Sequence, residues 1–170
     1  VKSLSHFSRA NNDEPMAPAR LNDICEEALV LCREKVVKSG VEMRVENRSN
    51  CLIACHSHQI GQIIVNLVGN ACDAVGTSPK KDINLSIYTE NDFVKLEVWD
   101  SGPGVKDEAK LFRPFHTTKS AGKGTGLGLI ISKRLVERHG GKISYKRENE
   151  KTCFTVELPL LKSESSKAAA

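Results

Sequence analysis

A glycine-rich segment opens an apolar stretch of helical periodicity, and it constrains the fold more than any other feature of this chain. The segment reads Gly122-Lys123-Gly124-Thr125-Gly126-Leu127-Gly128-Leu129. Glycine lets the backbone approach an anion closely, and the first turn of a helix points free N–H groups at it. The pattern therefore predicts a phosphate-binding loop that leads into a helix.

A short acidic turn precedes this loop and follows a predicted strand. Val94, Leu96 and Val98 alternate with polar residues, as is typical of a half-buried strand, and Asp100-Ser101-Gly102-Pro103-Gly104 comes directly after them. The carboxylate then lies at a strand end, where the glycine turn allows another group to approach and donate a hydrogen bond. Together the two segments indicate a nucleotide site.

The length and composition of the chain are those of a single globular domain. The chain has 170 residues, of which 39% are hydrophobic and 27% charged, enough for one domain with its own core. The net charge of +4 comes from Lys and Arg interspersed with acids, so charge alone indicates no nucleic acid partner. No apolar stretch is long enough to span a membrane. The start at Val1 leads us to expect a piece of a longer protein.

The periodicity predicts an α+β domain over residues 20–160. Residues 1–19 are expected to be the end of a helix followed by a linker, and residues 161–170 a disordered tail. Three main helices are expected, with a capping box at Asp23 and Glu26 in the first, Ser57 capping the second and Gly140-Gly141 ending the third. Alternating segments predict a mixed sheet of about five strands with the helices on one face, a two-layer α/β sandwich.

Cysteine usage has two interpretations. Cys51, Cys55, His56 and His58 form a cluster with some zinc-ligand character, but no second ligand pair follows it. We therefore favour reduced cysteines in a cytosolic core.

The second helix carries a polar set beside its apolar stripe. Asn66, Asn70 and Asp73 are spaced i, i+4, i+7 and share one helix face. They form either a solvated face or an oxygen-lined wall for Mg²⁺, which prefers few protein oxygens together with waters and phosphates. Asn70 is the better metal ligand, because Ala71 beside it leaves room for phosphate.

Four segments in this order resemble a known family. They are Asn66-Leu67-Val68-Gly69-Asn70-Ala71, the acidic turn, Phe112-Arg113-Pro114-Phe115 with Thr117-Thr118-Lys119, and the glycine-rich segment. The chain resembles the catalytic ATP-binding domain of sensor histidine kinases over about residues 21–159. That fold, the Bergerat fold of the GHKL superfamily, also occurs in type II topoisomerase, mismatch-repair and heat-shock chaperone ATPases.

The resemblance implies roles for the base-binding and metal-binding residues. Asp100 would accept the adenine amine, while Gly102 and Gly104 let the base lie against the backbone. Asn70 would hold Mg²⁺, with Asn66 on the same wall. Thr152 matches a position that supports adenine through water, although Lys151 stands where the family commonly has glycine.

The resemblance also implies a lid and a triphosphate loop. The residues assigned to them are Phe112, Phe115, Thr117, Thr118 and Lys119 for the lid, and Gly122, Gly124, Thr125, Gly126, Leu127 and Gly128 for the loop. On spacing alone the two phenylalanines fit a core equally well, and Lys119 fits an ordinary solvated loop. Many histidine kinases have lysine at the position of Asp73, and an acidic residue does not suit a contact with phosphate. The alternative role for Asp73 is a position near the metal or its waters.

The expected reaction is phosphoryl transfer. Hydrolysing relatives carry glutamate at the position of Asn66, and an amide cannot act as a general base. None of the five histidines lies in a phosphoacceptor context. We therefore expect a cytoplasmic, monomeric domain that binds ATP and Mg²⁺ but cannot phosphorylate itself. Its acceptor would be a histidine on a dimerisation domain of a homodimeric parent, soluble or membrane-anchored, for relay to a response regulator.

Two other functions share these motifs. One is a serine kinase of the anti-sigma type or a relative of the mitochondrial dehydrogenase kinases. The other is a nucleotide-sensing module without catalysis.

Overall fold

A five-stranded mixed sheet with helices on one face forms the body of the molecule. The computed structural model describes residues 15–76, 78–105, 107–113 and 126–161. Its helices are α1 (Leu21–Ser39), α2 (Ser57–Val75) and α3 (Gly128–Arg138), with a 3₁₀ turn at Glu108–Lys110. Its strands are β1 (Ala17–Arg20), β2 (Glu42–Asn47), β3 (Leu52–Cys55), β4 (Asp82–Glu90), β5 (Phe93–Asp100), β6 (Lys142–Glu148) and β7 (Lys151–Pro159).

The main sheet has the order β2-β4-β5-β7-β6. β2 runs parallel to β4, and the other neighbours are antiparallel. β1 and β3 pair separately as a small antiparallel sheet. The predicted α+β sandwich, with a mixed sheet of about five strands and three main helices, is confirmed.

Helix α2 is the centre of the core. Its apolar residues recur at helical spacing, and Ile60, Ile63, Ile64, Leu67 and Val68 are at most 2% exposed. They pack on the inward side chains of β4 and β5. Full burial of each such side chain contributes about 1.5–3 kcal/mol before conformational entropy is subtracted. α2 is thereby held firmly enough to position side chains on its other face.

Two predicted helix caps are wrong. α1 begins at Leu21, two residues before Asp23, and the residue before each of α1 and α2 makes no side-chain cap hydrogen bond. The reason is that β1 and β3 lead directly into these helices, so the last extended residues, Arg20 and His56, occupy the cap positions. β1 itself was not predicted, because its four residues have no alternating apolar pattern. The predicted end of α3 at Gly140-Gly141 is confirmed by Gly140 at φ +69°.

All six cysteines are free thiols, and five of them are buried. Burial raises the pKa of Cys25 and of Cys153 to about 12, so both remain protonated at neutral pH. Among the described residues, no helix combines the length and the apolar character needed to cross a bilayer.

Candidate functional site

Asp100 is a buried carboxylate at the end of β5. It is 3% exposed, and its Oδ1 accepts a hydrogen bond from the Gly102 N–H at 2.8 Å. Burial raises the pKa of Asp100 to about 6, and the Gly102 N–H and the Arg147 charge oppose that rise. Asp100 can therefore be ionised at neutral pH while remaining poorly solvated, as suits an acceptor for a ligand N–H group.

Two glycines let the turn after Asp100 pack against α2 and β6. A Cβ on Gly102 would lie 2.7 Å from Asp100 Oδ1 and 2.8 Å from the Cβ of Ala74. Gly104 has φ +80°, and a Cβ there would lie 2.0 Å from Arg147 Nη1. Groups of the protein itself thus occupy the space beside each glycine, and the contact of a base with Gly102 and Gly104 stays a prediction.

Thr152 lies beside Asp100. The two residues are Cα partners in the β5–β7 pairing, and Thr152 is 3% exposed. Its hydroxyl has no hydrogen-bond partner among the described residues. A buried hydroxyl of this kind needs a partner such as a ligand or an ordered water, which fits the role that the resemblance implied. Lys151 in place of glycine does not prevent this placement.

Asn66 joins α2 to the start of α3. Its Nδ2 donates to the Gly128 carbonyl and to the Ser132 hydroxyl, both at 3.3 Å. α3 begins at Gly128, and Gly126 before it has φ +67°, a conformation that favours glycine. The end of the glycine-rich segment therefore lies against Asn66.

Asn70 lies between these two regions on the same face of α2. Asn66 touches Gly128, and Ala74 touches Gly102, so the spacing i, i+4, i+8 brings Asn70 midway between them. Eight residues of helix span about 12 Å along the axis. This face of α2, residues 66, 70 and 74, is called the site face below. It joins the acidic turn to the start of α3.

Asp73 is oriented toward α1. Its Oδ1 lies 2.7 Å from Lys35 Nζ, and Lys35 also lies next to Gly69. Both side chains remain partly exposed, so the pair contributes little to stability, but the lysine offsets an acidic charge on α2. No sequence pattern indicated a role for Lys35, because the contact depends on the packing of two helices.

Parts of the predicted lid and of the predicted triphosphate loop lie outside the described residues. They comprise Phe115, Thr117, Thr118 and Lys119 of the lid, and Gly122, Gly124 and Thr125 of the loop. Phe112 packs at the edge of the core, and Lys133 Nζ lies 5.5 Å from the centre of its ring. Phe112 therefore fits the core interpretation as well as the anchor of a lid.

The donor set fits a hydrated Mg²⁺. The site face offers the amide oxygen of Asn70, while within the described ranges no three His, Cys, Asp or Glu residues cluster as a metal site. Mg²⁺ is commonly bound through one or two protein oxygens together with waters and substrate phosphates. These residues therefore fit Mg²⁺ that arrives with a nucleotide.

Comparison with protein families identifies the fold. Residues 55–162 match the model of the histidine kinase-, DNA gyrase B- and HSP90-like ATPases. The chain belongs to this ATPase family. The match begins just before α2 and covers both the acidic turn and the glycine-rich segment. The resemblance inferred from the four motifs is thereby confirmed.

Within this ATPase family the chain is similar to histidine kinase catalytic domains. The solved catalytic domain of histidine kinase ThkA is 31% identical with a TM-score of 0.75, and the match covers 85% of this chain and 95% of that one. ThkA solved in complex with the response regulator TrrA is 29% identical with a TM-score of 0.72, covering 86% of this chain and 42% of that one.

Two curated sensor proteins are also similar. The C4-dicarboxylate transport sensor DctS of Rhodobacter capsulatus is 35% identical over 171 residues, and the two-component sensor PprA of Pseudomonas aeruginosa is 34% identical over 168. Both matches cover 94% of this chain, which spans only 25% of DctS and 18% of PprA.

Proposed function

We propose that this chain is the ATP-binding catalytic domain of a two-component sensor histidine kinase. It binds ATP with Mg²⁺ and transfers the γ-phosphoryl group to a histidine on a dimerisation domain outside these 170 residues, for relay to the receiver domain of a response regulator. The similarity to ThkA and to the sensors DctS and PprA supports this assignment.

The observation that carries the proposal is the site face of α2. A nucleotide laid along it has its base at the acidic turn, where Asp100 offers a buried acceptor and Thr152 an unpartnered hydroxyl. Its phosphates then reach the start of α3, where backbone N–H groups and the positive end of the helix dipole favour anions. Along the site face, the acidic turn, the metal ligand Asn70 and the phosphate loop follow one another in the same order as the base, the metal and the phosphates of a nucleotide.

Selectivity for adenine follows from the chemistry of Asp100. An ionised carboxylate accepts hydrogen bonds and donates none, so it accepts from the exocyclic amine of adenine and repels the carbonyl oxygen at that position of guanine. The hydrogen bond is charge-assisted and desolvated, which makes its loss costly.

Phosphate binding combines three features of the chain. Asn70 would hold Mg²⁺ by its amide oxygen, and the metal would supply positive charge to offset that of the transferred phosphoryl group. The N–H groups at the start of α3 orient the phosphates. Lys119 and the glycines at positions 122 and 124 are proposed to close over them.

Asn66 favours transfer over hydrolysis. Its amide nitrogen is engaged with Gly128 and Ser132, and an amide cannot take a proton from water. ATP therefore stays intact until an acceptor histidine arrives. The proposal includes a cytoplasmic location, which the six free thiols support, a monomeric state for this chain and a homodimeric parent.

Phosphoryl transfer to a supplied acceptor tests the proposal. The chain is incubated with γ-labelled ATP and Mg²⁺, alone and with a sensor-kinase dimerisation domain that carries its histidine. We expect acid-labile label on the added domain, none on this chain and slow release of phosphate. Stoichiometric label on this chain alone, or rapid release of phosphate without an acceptor, would overturn the proposal.

A further inference from the structure

We propose that Arg147 is a positioning residue for the nucleotide site: it ties the hairpin of β6 and β7 to the acidic turn and keeps Asp100 ready to accept a base. The inference rests on the proposed nucleotide function. No sequence motif includes Arg147, which lies 45 residues beyond Gly102 in the chain.

Strand register brings Arg147 to the acidic turn. Arg147 on β6 is the Cα partner of Thr152 on β7, and Thr152 is the partner of Asp100 on β5. Directly opposed residues in neighbouring strands project to the same face of a sheet. The three side chains therefore form one row at the end of the sheet, on the face that bears α2.

Contacts hold the guanidinium over the turn. Arg147 Nη1 donates to the Gly102 carbonyl at 3.3 Å. Gly104 leaves the space that the guanidinium fills, since a Cβ there would meet Nη1 at 2.0 Å and Cζ at 2.9 Å. Arg147 also lines an open cleft of about 520 Å³ together with Gly102, Pro103 and Lys151. It thus fixes the backbone that supplies the Gly102 N–H to Asp100.

The charge of Arg147 acts on the same carboxylate. The groups that act on the Asp100 carboxylate are the Gly102 N–H and the Arg147 guanidinium. Cys153 follows Thr152 on β7 and lies on the opposite face of the sheet with Trp99 and Lys146, and burial keeps its thiol neutral. Asp82 on β4 is paired with Lys80 at 2.9 Å. Of the residues that the structure describes, Arg147 is therefore the cation that favours the charged form of Asp100 against its burial.

Lys146 provides a matched control. It precedes Arg147 on β6 but lies on the opposite face of the sheet, with its Nζ 4.6 Å from the centre of the Trp99 ring. Lys146→Gln and Arg147→Gln remove the same charge from the same strand. A difference between the two variants thus reports the position of Arg147 and not the net charge of the chain.

The test compares the parent chain with Arg147→Gln, Arg147→Lys and Lys146→Gln in two measurements. The first is NMR titration of the Asp100 carboxyl carbon without ligand. The second is the affinity for a non-hydrolysable ATP analogue with Mg²⁺ between pH 5 and pH 8.5. Far-UV circular dichroism checks that each variant is folded.

We expect Arg147→Gln to raise the Asp100 midpoint by about half a pH unit and to weaken binding roughly tenfold at pH 6.5. The pH at which the affinity for the analogue is half lost should rise by the same amount as the pH at which the Asp100 carboxyl carbon is half titrated. Arg147→Lys should keep the carboxyl midpoint near that of the parent, because the charge remains, with a smaller loss of affinity. Lys146→Gln should match the parent in both measurements.

Two results separate the failure of this inference from the failure of the proposed function. If Arg147→Gln and Lys146→Gln give the same carboxyl midpoint and the same affinity, Arg147 has no positioning role. If no protein binds the analogue but Arg147→Gln still moves the midpoint, the nucleotide function fails, while the tie between Arg147 and Asp100 is supported.

Discussion

The buried charge of Asp100 that suits it to accept a ligand N–H group also lowers the free energy of unfolding of the chain. Its pKa rises from 3.8 to about 6 on folding, so the folded chain holds the proton more tightly than the unfolded chain between these values. The free energy of unfolding therefore falls as pH rises from about 4 to about 6, and the cost is fully present above the folded pKa. Sites that need a desolvated charge commonly carry such a cost.

Asp100→Asn should stabilise the ligand-free chain at pH 8 and remove nucleotide binding. The amide keeps an oxygen for the Gly102 N–H but carries no buried charge, so we expect a gain of about 1–3 kcal/mol. Urea unfolding at pH 8 and pH 4 measures it, and the gain should shrink at pH 4 because Asp100 is then largely protonated. A variant less stable than the parent at pH 8 would contradict this account of Asp100.

Gly102→Ala should destabilise the chain and weaken nucleotide binding. The new Cβ would overlap Asp100 Oδ1 and Ala74, so either the turn or α2 must shift, at about 1–3 kcal/mol. Gly76→Ala is the control, because its nearest neighbour would lie at 3.4 Å and its φ is −54°. Thermal unfolding of both variants measures the difference, and equal behaviour would refute the close packing inferred at Gly102.

At the scale of elements, α2 and α3 are joined at two levels. Asn66 contacts the start of α3, while His139 just beyond the end of α3 accepts a hydrogen bond from the His56 N–H at 3.1 Å. His139 Nδ1 donates to the Leu135 carbonyl at 2.7 Å, so its Nε2 can accept only in the neutral form. Burial lowers the pKa of His139, although the hydrogen bond to the Leu135 carbonyl opposes this shift. The nearby His56, Arg138 and His58 add to the lowering.

His139→Gln should lower stability and remove one part of its pH dependence. Because the folded pKa lies below the unfolded value of 6.5, the parent loses stability as pH falls below about 6.5, when His139 takes up a proton on unfolding. We expect the variant to lose about 1–2 kcal/mol at pH 8 and less at pH 5. His58→Gln is the control, and urea unfolding at both pH values is the measurement.

Asp100 also changes the stability of the parent in this pH range, in the opposite direction to His139. Because Asp100 is present in the parent and in both histidine variants, its contribution cancels in the difference between variant and parent, and that difference reports His139. A constant difference between pH 5 and pH 8 would contradict the neutral form assigned to His139. If His58→Gln instead changed the pH dependence of the free energy of unfolding strongly, that dependence would belong to His58 and not to His139.

At the scale of the whole molecule, the layers were predictable from the sequence and the details of pairing were not. The period-2 alternation of β4 and β5 and the apolar stripe of α2 follow from which face is buried, so the sequence carries them directly. β1 has no such pattern, because only Ala19 of its four residues is partly buried. Its pairing with β3 depends on a neighbour distant in sequence.

The candidate site divides in the same way. Asp100, Gly102 and Gly126 were predictable because a strand end, a tight approach and a helix start each demand particular residue types. Lys35 and Arg147 were not, since each reaches its partner through the packing of two helices or the register of three strands. Lysine and arginine are common at surface positions, so no neighbouring residues in the sequence indicate which of them contacts the site.

The central claim is that one nucleotide lies along the site face of α2, and calorimetric titration tests it most directly. The parent chain, Asp100→Asn and Asn70→Ala are titrated with a non-hydrolysable ATP analogue, with and without Mg²⁺, and the parent also with the GTP analogue. We predict that the parent binds the ATP analogue more tightly with Mg²⁺ and discriminates against the GTP analogue. Asp100→Asn should not bind, and Asn70→Ala should bind without any effect of Mg²⁺. A parent that binds neither analogue, or Asp100→Asn binding as tightly as the parent, would contradict the claim.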